Sequence, residues 1–321
     1  MKVLIVGTGT IGAIYGWAAS QAGQEVVHLV RPGRSARYTH GIEMDIYDCR
    51  ARRPRRLHSI YPVQICENLP VADPFDLVVV PTKHFSLTQT LQEIAPVTRQ
   101  TDTLLLTQNW HGVAALEPYL QADHFCFGDA KAGGSFGNDR LVCTLKALDF
   151  GPVQGQAQAC RQKCQGVFAG AVPVHYHENM LHYLWVQYAI TGGMWPAIVR
   201  AGQFKRLFSD GPGLITALLA VQECLQVVQA RGVRLEDFPE TQLYLHPTWL
   251  TRLALPTIVS FTLAHSEYRK RCSLHALADP QEVHAFYFDL VDSGRALGIA
   301  MPVMESYRPD ILNFTQPRAA W

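Results

Sequence analysis

The chain has 321 residues, 48% of them hydrophobic, and a formal net charge of +1 with its 13 histidines neutral. That describes a globular chain long enough for two domains of ordinary size, and it excludes a global field drawing nucleic acid or an anionic membrane as the principal partner. Cys49, Cys66, Cys126, Cys143, Cys160, Cys164, Cys224 and Cys272 are scattered without CxxC spacing, so neither a metal site nor a disulfide framework is signalled; Cys160 and Cys164 read as two half-buried thiols on a helix.

An apolar strand is predicted over 2–6, followed by Gly7-Thr8-Gly9-Thr10-Ile11-Gly12, a helical run and a second strand ending at Val30 and Arg31. In that strand-helix-strand order each glycine has its own physical role, with a tight turn at Gly7, close approach of a pyrophosphate at Gly9, and helix-on-strand packing at Gly12. The helix that follows turns its N-terminal N–H groups toward the phosphates. A carboxylate at the end of the second strand would take a ribose 2′-hydroxyl; Arg31, with Arg34 and Arg37 behind it, suits a 2′-phosphate instead, so NADP is the expected cofactor. The same glycines and the helix running to Gly23 argue against a signal peptide. Polar residues interrupt even Leu214 to Val228, so no membrane span is expected and the cytoplasm is the expected location.

Arg50, Arg52, Arg53, Arg55 and Arg56 cluster around Pro54 and read as a solvated hairpin or loop without a functional role. Further strands are predicted at 76–80, 103–107 and 124–128, with helices over 86–95 and 113–120; alternation of this kind builds a parallel sheet covered by helices. After Gly128, Gly133-Gly134, Gly137-Asn138 and Gly151-Pro152 suggest short antiparallel edge strands separated by turns, closed by a helix over 157–169. From about residue 175, 3.6-residue periodicity dominates at 178–191, 212–231, 247–265 and 281–297. The expected fold is therefore α/β: a Rossmann-type doubly wound parallel sheet domain over 1–172, followed by an all-helical second domain over 173–321.

Four segments carry a resemblance to the ketopantoate reductase (2-dehydropantoate 2-reductase) family over nearly the whole chain. The Gly7–Gly12 turn with Arg31 is similar to the family's NADP fingerprint. Val80-Pro81-Thr82-Lys83 resembles a strand ending in a cofactor-contacting lysine, a role that falls to Lys83. Leu104 to Gly112 (LLLTQNWHG) is similar to a strand followed by an asparagine near nicotinamide and substrate, matched by Asn109. Glu282, followed by Arg295 to Pro302, resembles the family's C-terminal segment with its active-site glutamate. The resemblance implies an NADP-dependent oxidoreductase whose small-molecule substrate binds between the domains, with a homodimer left open.

The chain departs from the family at its catalytic helix. Gln187 stands where the family's lysine is expected and Thr191 where it has an asparagine; both remain candidate substrate contacts, while Trp195 takes the place of a later asparagine. Glutamine is no general acid, yet hydride delivery to a carbonyl places negative charge on oxygen, which needs a cation or proton donor. Lys131 is the first candidate for that catalytic role and His111 the second. Trp110, Trp185, Trp195 and Tyr188 read either as a wide aromatic pocket or as core. Three readings stay open: a reductase of a carbonyl or imine, a true ketopantoate reductase with a relocated proton donor, and a non-catalytic NADP-binding sensor.

Overall fold

The computed structural model describes residues 1–72, 74–137, 140–153, 157–245 and 266–319. It divides into two compact units, Met1–Leu181 and His182–Trp321. The first unit runs past residue 172 because Val174–Tyr176 forms a further strand on its sheet.

The first unit is one ten-stranded sheet. Its strands are β1 (Lys2–Val6), β2 (Glu25–Leu29), β3 (Ile42–Asp48), β4 (Arg55–Tyr61), β5 (Gln64–Cys66), β6 (Leu77–Val80), β7 (Thr103–Leu106), β8 (Phe125–Gly137), β9 (Arg140–Gly151) and β10 (Val174–Tyr176). The order is β4-β3-β9-β8-β7-β6-β1-β2-β5, with β10 beside β9; only the β3/β4 and β8/β9 pairs are antiparallel. β6 and β7 are buried at every residue, as strands covered on both faces must be. Helices α1 (Thr10–Gln21), α2 (Leu87–Thr98) and α3 (Gln158–Phe168) accompany the sheet. Ile14 and Trp17 of α1 and Val167 and Phe168 of α3 share one core with Val3, Ile5, Leu104 and Cys126.

Three local expectations are corrected. Residues 113–120 form turns and a single 3-10 turn, Glu117–Tyr119, because Pro118 has no N–H to carry an α-helix through the segment. Gly133 and Gly134 lie inside β8 rather than in a turn: a side chain at Gly134 would meet the Cys143 Cα at 2.8 Å, so the glycine serves a close approach of β9. Cys160 and Cys164 are fully buried, their sulfurs 3.9 Å apart, and neither is half exposed. The arginine cluster flanks the β3/β4 hairpin, where Asp48 binds both Arg50 and Arg55.

The described part of the second unit is helical: α4 (Met180–Ala201), α5 (Phe204–Ser209) and α6 (Gly211–Ala230), then Gln242–Leu245, Glu267–Cys272, Pro280–Ala296, Pro302–Ser306 and Arg308–Leu312. The helix expected over 247–265 lies outside the described residues. Helix α4 continues ten residues beyond the expected end at 191, through Gly192, Gly193 and Pro196. A Cβ at Gly193 would lie 2.7 Å from the Val221 Cα, so glycine there lets α4 and α6 pack backbone to backbone. By length and composition α6 could cross a membrane, but half of it is buried within the unit, where Glu223 receives the N–H groups of Val303 and Met304 at 2.9 Å each.

Candidate active site

The glycine turn is built by β1 and α1. Gly7 has φ +92°, a left-handed conformation that side chains resist, and its N–H donates to the Leu29 carbonyl at 2.8 Å. No atom lies within 4 Å of a Cβ built at Gly7 or Gly9, so the turn opens onto free space. A Cβ at Gly12 would meet the Gly7 carbonyl oxygen at 2.9 Å and Pro81 at 3.3 Å, which fixes how close α1 sits to the sheet. Gly9 is the N-cap of α1 without a side-chain cap. The N–H groups of Thr10, Ile11 and Gly12 at that helix start are therefore free of any capping side chain and favour an anion.

Three hydrogen bonds, one of them fully buried, brace this turn, and none of them was among the expectations from sequence. The His28 Nδ1 lies 2.8 Å from the Gly7 carbonyl and its Nε2 2.9 Å from the Tyr61 hydroxyl. A carbonyl only accepts, so Nδ1 carries the proton, and Nε2 accepts from Tyr61. Burial pushes the ring's pKa down to about 4, so it stays neutral at ordinary pH. The Thr8 and Tyr38 hydroxyls are also hydrogen-bonded to each other. A polar His28 inside the apolar run of β2 was the one visible signal.

The carboxyl ends of β1, β2, β6 and β7 bring the first unit's expected cofactor residues to a single sheet edge, and Lys131 lies mid-strand in β8, three residues past its last pairing with β7. Arg31 follows β2 and is exposed. Lys83 follows β6, exposed, its ammonium 5.9 Å from the Phe85 ring centre. Asn109 follows β7 but is only 5% exposed, its amide donating to the Gly112 carbonyl at 2.7 Å while its oxygen receives the Gly112 N–H at 2.9 Å. That closed loop presents His111 to solvent. Two buried polar atoms at the same edge have no hydrogen-bond partner among the described residues: Thr82 Oγ1 and Gln108 Oε1. Buried polar atoms are normally satisfied, so these two suit a polar ligand along the edge. The open turn, the uncapped helix start and this orphaned pair fit a nicotinamide dinucleotide.

Lys131 sits in a charged network formed by cross-strand pairing. Asp129 and Lys131 share one face of β8, Asp149 lies opposite Asp129 on β9, and His175 lies beside Asp149 on β10. The Lys131 ammonium is 2.6 Å from Asp129 and 3.4 Å from Asp149. The other Asp149 oxygen is 2.9 Å from His175 and 3.2 Å from His177, and Gln108 donates to Asp129 at 3.0 Å. Despite its burial, Asp149 is held down to about 2 by the His177 hydrogen bond, the Lys131 charge and the His175 hydrogen bond. Lys131 is thus a clamped cation. Among the described residues no group of three or more His, Cys, Asp or Glu is placed to hold a metal ion.

Within the second unit, Gln187 and Thr191 of α4 are half-buried, and the Gln187 amide donates to Glu240 at 2.8 Å. Glu282 lies in the first turn of helix Pro280–Ala296 and is half-buried. The two helices meet where Tyr188 stacks on Phe286 at 3.9 Å and its hydroxyl donates to Asp289 at 2.6 Å. Trp110, Tyr188 and Trp195 are buried at 1%, 0% and 7% exposure, so these three are core residues.

Residues 3–135 match the family described as ketopantoate reductase PanE/ApbA. A 2-dehydropantoate 2-reductase of Pyrococcus abyssi is 23% identical over 264 residues, 78% of this chain and 81% of that protein. Among solved structures, a PanE/ApbA family ketopantoate reductase from Ralstonia eutropha superposes with TM-score 0.72 at 19% identity, covering 98% of each chain. D-mandelate dehydrogenase in complex with NADH and anilino(oxo)acetate superposes with TM-score 0.71 at 16% identity, again over 98% of each. These structural likenesses establish a shared fold.

Proposed function

Residues 3–135 form a domain of the ketopantoate reductase PanE/ApbA family, a family of oxidoreductases, and from that premise we propose that the protein is an NADP-dependent reductase of a carbonyl or imine compound. The observation that carries the reading is the glycine turn open above Gly7 and Gly9, on the same sheet edge as the unsatisfied Thr82 and Gln108. When bound, the dinucleotide supplies the hydride. The chain's part is to hold the phosphates on the α1 start, to place Arg31 and Lys83 on anionic groups of the cofactor, and to give the substrate oxygen a proton.

Lys131 is the proposed proton source. It would deliver one N–H proton to the oxygen that gains charge and take a proton back from solvent, while the Asp129 and Asp149 carboxylates hold the ammonium in place. His111, exposed on the loop after β7, is the second candidate. Gln187, Thr191 and Glu282 are proposed substrate or cofactor contacts of the second unit. Because Gln187 is neutral and bonded to Glu240, a reading in which dinucleotide is bound without turnover remains in competition.

One assay separates these readings: oxidation of NADPH by wild-type chain against a panel of 2-oxo acids, ketones and imines that includes ketopantoate. A reductase with its proton donor at Lys131 oxidises NADPH with some panel member. Lys131→Ala then lowers kcat by about 10²-fold or more, the usual effect of a positioned acid, while NADPH affinity is retained. Ketopantoate as the best substrate identifies a true ketopantoate reductase. Binding of NADPH with no turnover of any compound supports the non-catalytic reading. Full activity in Lys131→Ala would remove Lys131 from the mechanism and pass the role to His111.

A further inference from the structure

We propose that Glu67 sets the discrimination between phosphorylated and unphosphorylated dinucleotide, acting against Arg31; the inference rests on the reading that the first unit binds such a nucleotide. The argument begins with strand register. β5 runs parallel to β2, with Cys66 paired to Leu29, and the Val30 N–H donates to the Cys66 carbonyl at 2.9 Å. Arg31 and Glu67 therefore leave neighbouring strands side by side at the carboxyl edge. The sequence of β2 alone offers no acid at this point; the sheet supplies one from the next strand.

The Glu67 carboxylate is already engaged. It receives the Ser35 N–H at 2.7 Å, and the Ser35 hydroxyl and the N–H groups of Gly33 and Arg34 add their favourable dipoles. The chain turns tightly here, with Gly33 at φ +78° and the Arg34 N–H donating to the Arg31 carbonyl at 3.2 Å. These donors, the Ser35 hydroxyl foremost, hold Glu67 down to about 2, so it is an anion at every pH at which the protein would be assayed. The loop bearing Arg31 and Arg34 has thus committed the Ser35 N–H to an internal carboxylate.

A ribose 2′-phosphate reaching this loop meets a like charge and finds the Ser35 N–H taken. A 2′-hydroxyl can donate to the same carboxylate. Glu67 accordingly favours the unphosphorylated nucleotide, and Arg31 favours the phosphorylated one by its opposite charge. The preference of the wild-type chain is the balance between the two side chains.

The test is fluorescence titration of the full chain with NADPH and with NADH, comparing wild type with Glu67→Gln and Arg31→Gln. For Glu67→Gln the ratio Kd(NADH)/Kd(NADPH) should rise by about tenfold, the scale of one charge-assisted contact. For Arg31→Gln it should fall by a similar factor. The same ratio taken for adenosine 2′,5′-bisphosphate against AMP should move in parallel. A Glu67→Gln ratio that stays put or falls would overturn the proposal, including the case in which both affinities weaken equally because the carboxylate only braces the loop. Failure of the wild-type chain to bind either nucleotide would instead remove the premise of a dinucleotide site.

Discussion

His28 shows at the scale of one residue how buried chemistry supports an open site. Its neutral ring joins the Gly7 carbonyl to the Tyr61 hydroxyl, and α1 leaves room for it at Gly16, where a Cβ would come within 2.8 Å of the ring. Between pH 6.5 and about 4 the unfolded chain binds a proton that the folded ring refuses, so stability is full above pH 6.5 and falls as pH drops through that window. The contribution is about 3 kcal/mol at most. Urea unfolding as a function of pH should show wild type losing more than His28→Gln across this range; equal losses would refute the assignment. Two substitutions probe the site more directly. Gly7→Ala forces a side chain into φ +92°, costing about 1–2 kcal/mol, and should reduce NADPH affinity as the turn shifts. Thr82→Val removes a buried hydroxyl that has no protein partner, so calorimetry should show no loss of stability without ligand, while NADPH binds about fivefold more weakly, roughly 1 kcal/mol for one lost hydrogen bond.

At the scale of elements, what was legible in the chain followed from short-range periodicity. Strands β1, β2, β6 and β7 and helix α1 stand where apolar runs and the glycine turn place them, because both faces of a parallel strand must be apolar. Long-range pairing hid the rest. β3, β4 and β5 are short or polar on one face, and Glu67 matters only because β5 adds to β2. The Asp129, Lys131, Asp149, His175 and His177 network exists only because β8, β9 and β10 are neighbours, although these residues are spread over nearly fifty positions of sequence. Gly134 misled, because it marks close backbone approach and not chain reversal, and Gly193 marks a second close approach inside α4 beyond the expected end at 191. Gly193→Ala should therefore destabilise the second unit by about 1–3 kcal/mol, the usual cost of overpacking, seen as a lowered thermal midpoint. An unchanged midpoint would show that α4 and α6 can separate without cost.

At the scale of the whole molecule, the division of labour follows from composition along the chain. The first unit holds the sheet edge with its glycine turn, two exposed cations at Arg31 and Lys83, and the Lys131 network. The second contributes helices bearing Gln187, Thr191 and Glu282. Gln187 was readable as a departure from the ketopantoate reductase pattern, but its bond to Glu240 was not, because that contact joins residues 53 positions apart. Nucleotide binding should raise the stability of the chain by mass action, about 2.7 kcal/mol at a ligand concentration one hundred times Kd.

The central claim is that the amino-terminal unit binds a phosphorylated nicotinamide nucleotide over the Gly7–Gly12 turn. Its most direct test is fluorescence titration of wild-type chain with NADPH beside NADH. The account predicts saturable binding of both, tighter for NADPH, and greatly weakened by Gly7→Ala. Tighter binding of NADH would contradict the cofactor assignment, and absence of binding by either would contradict the site itself.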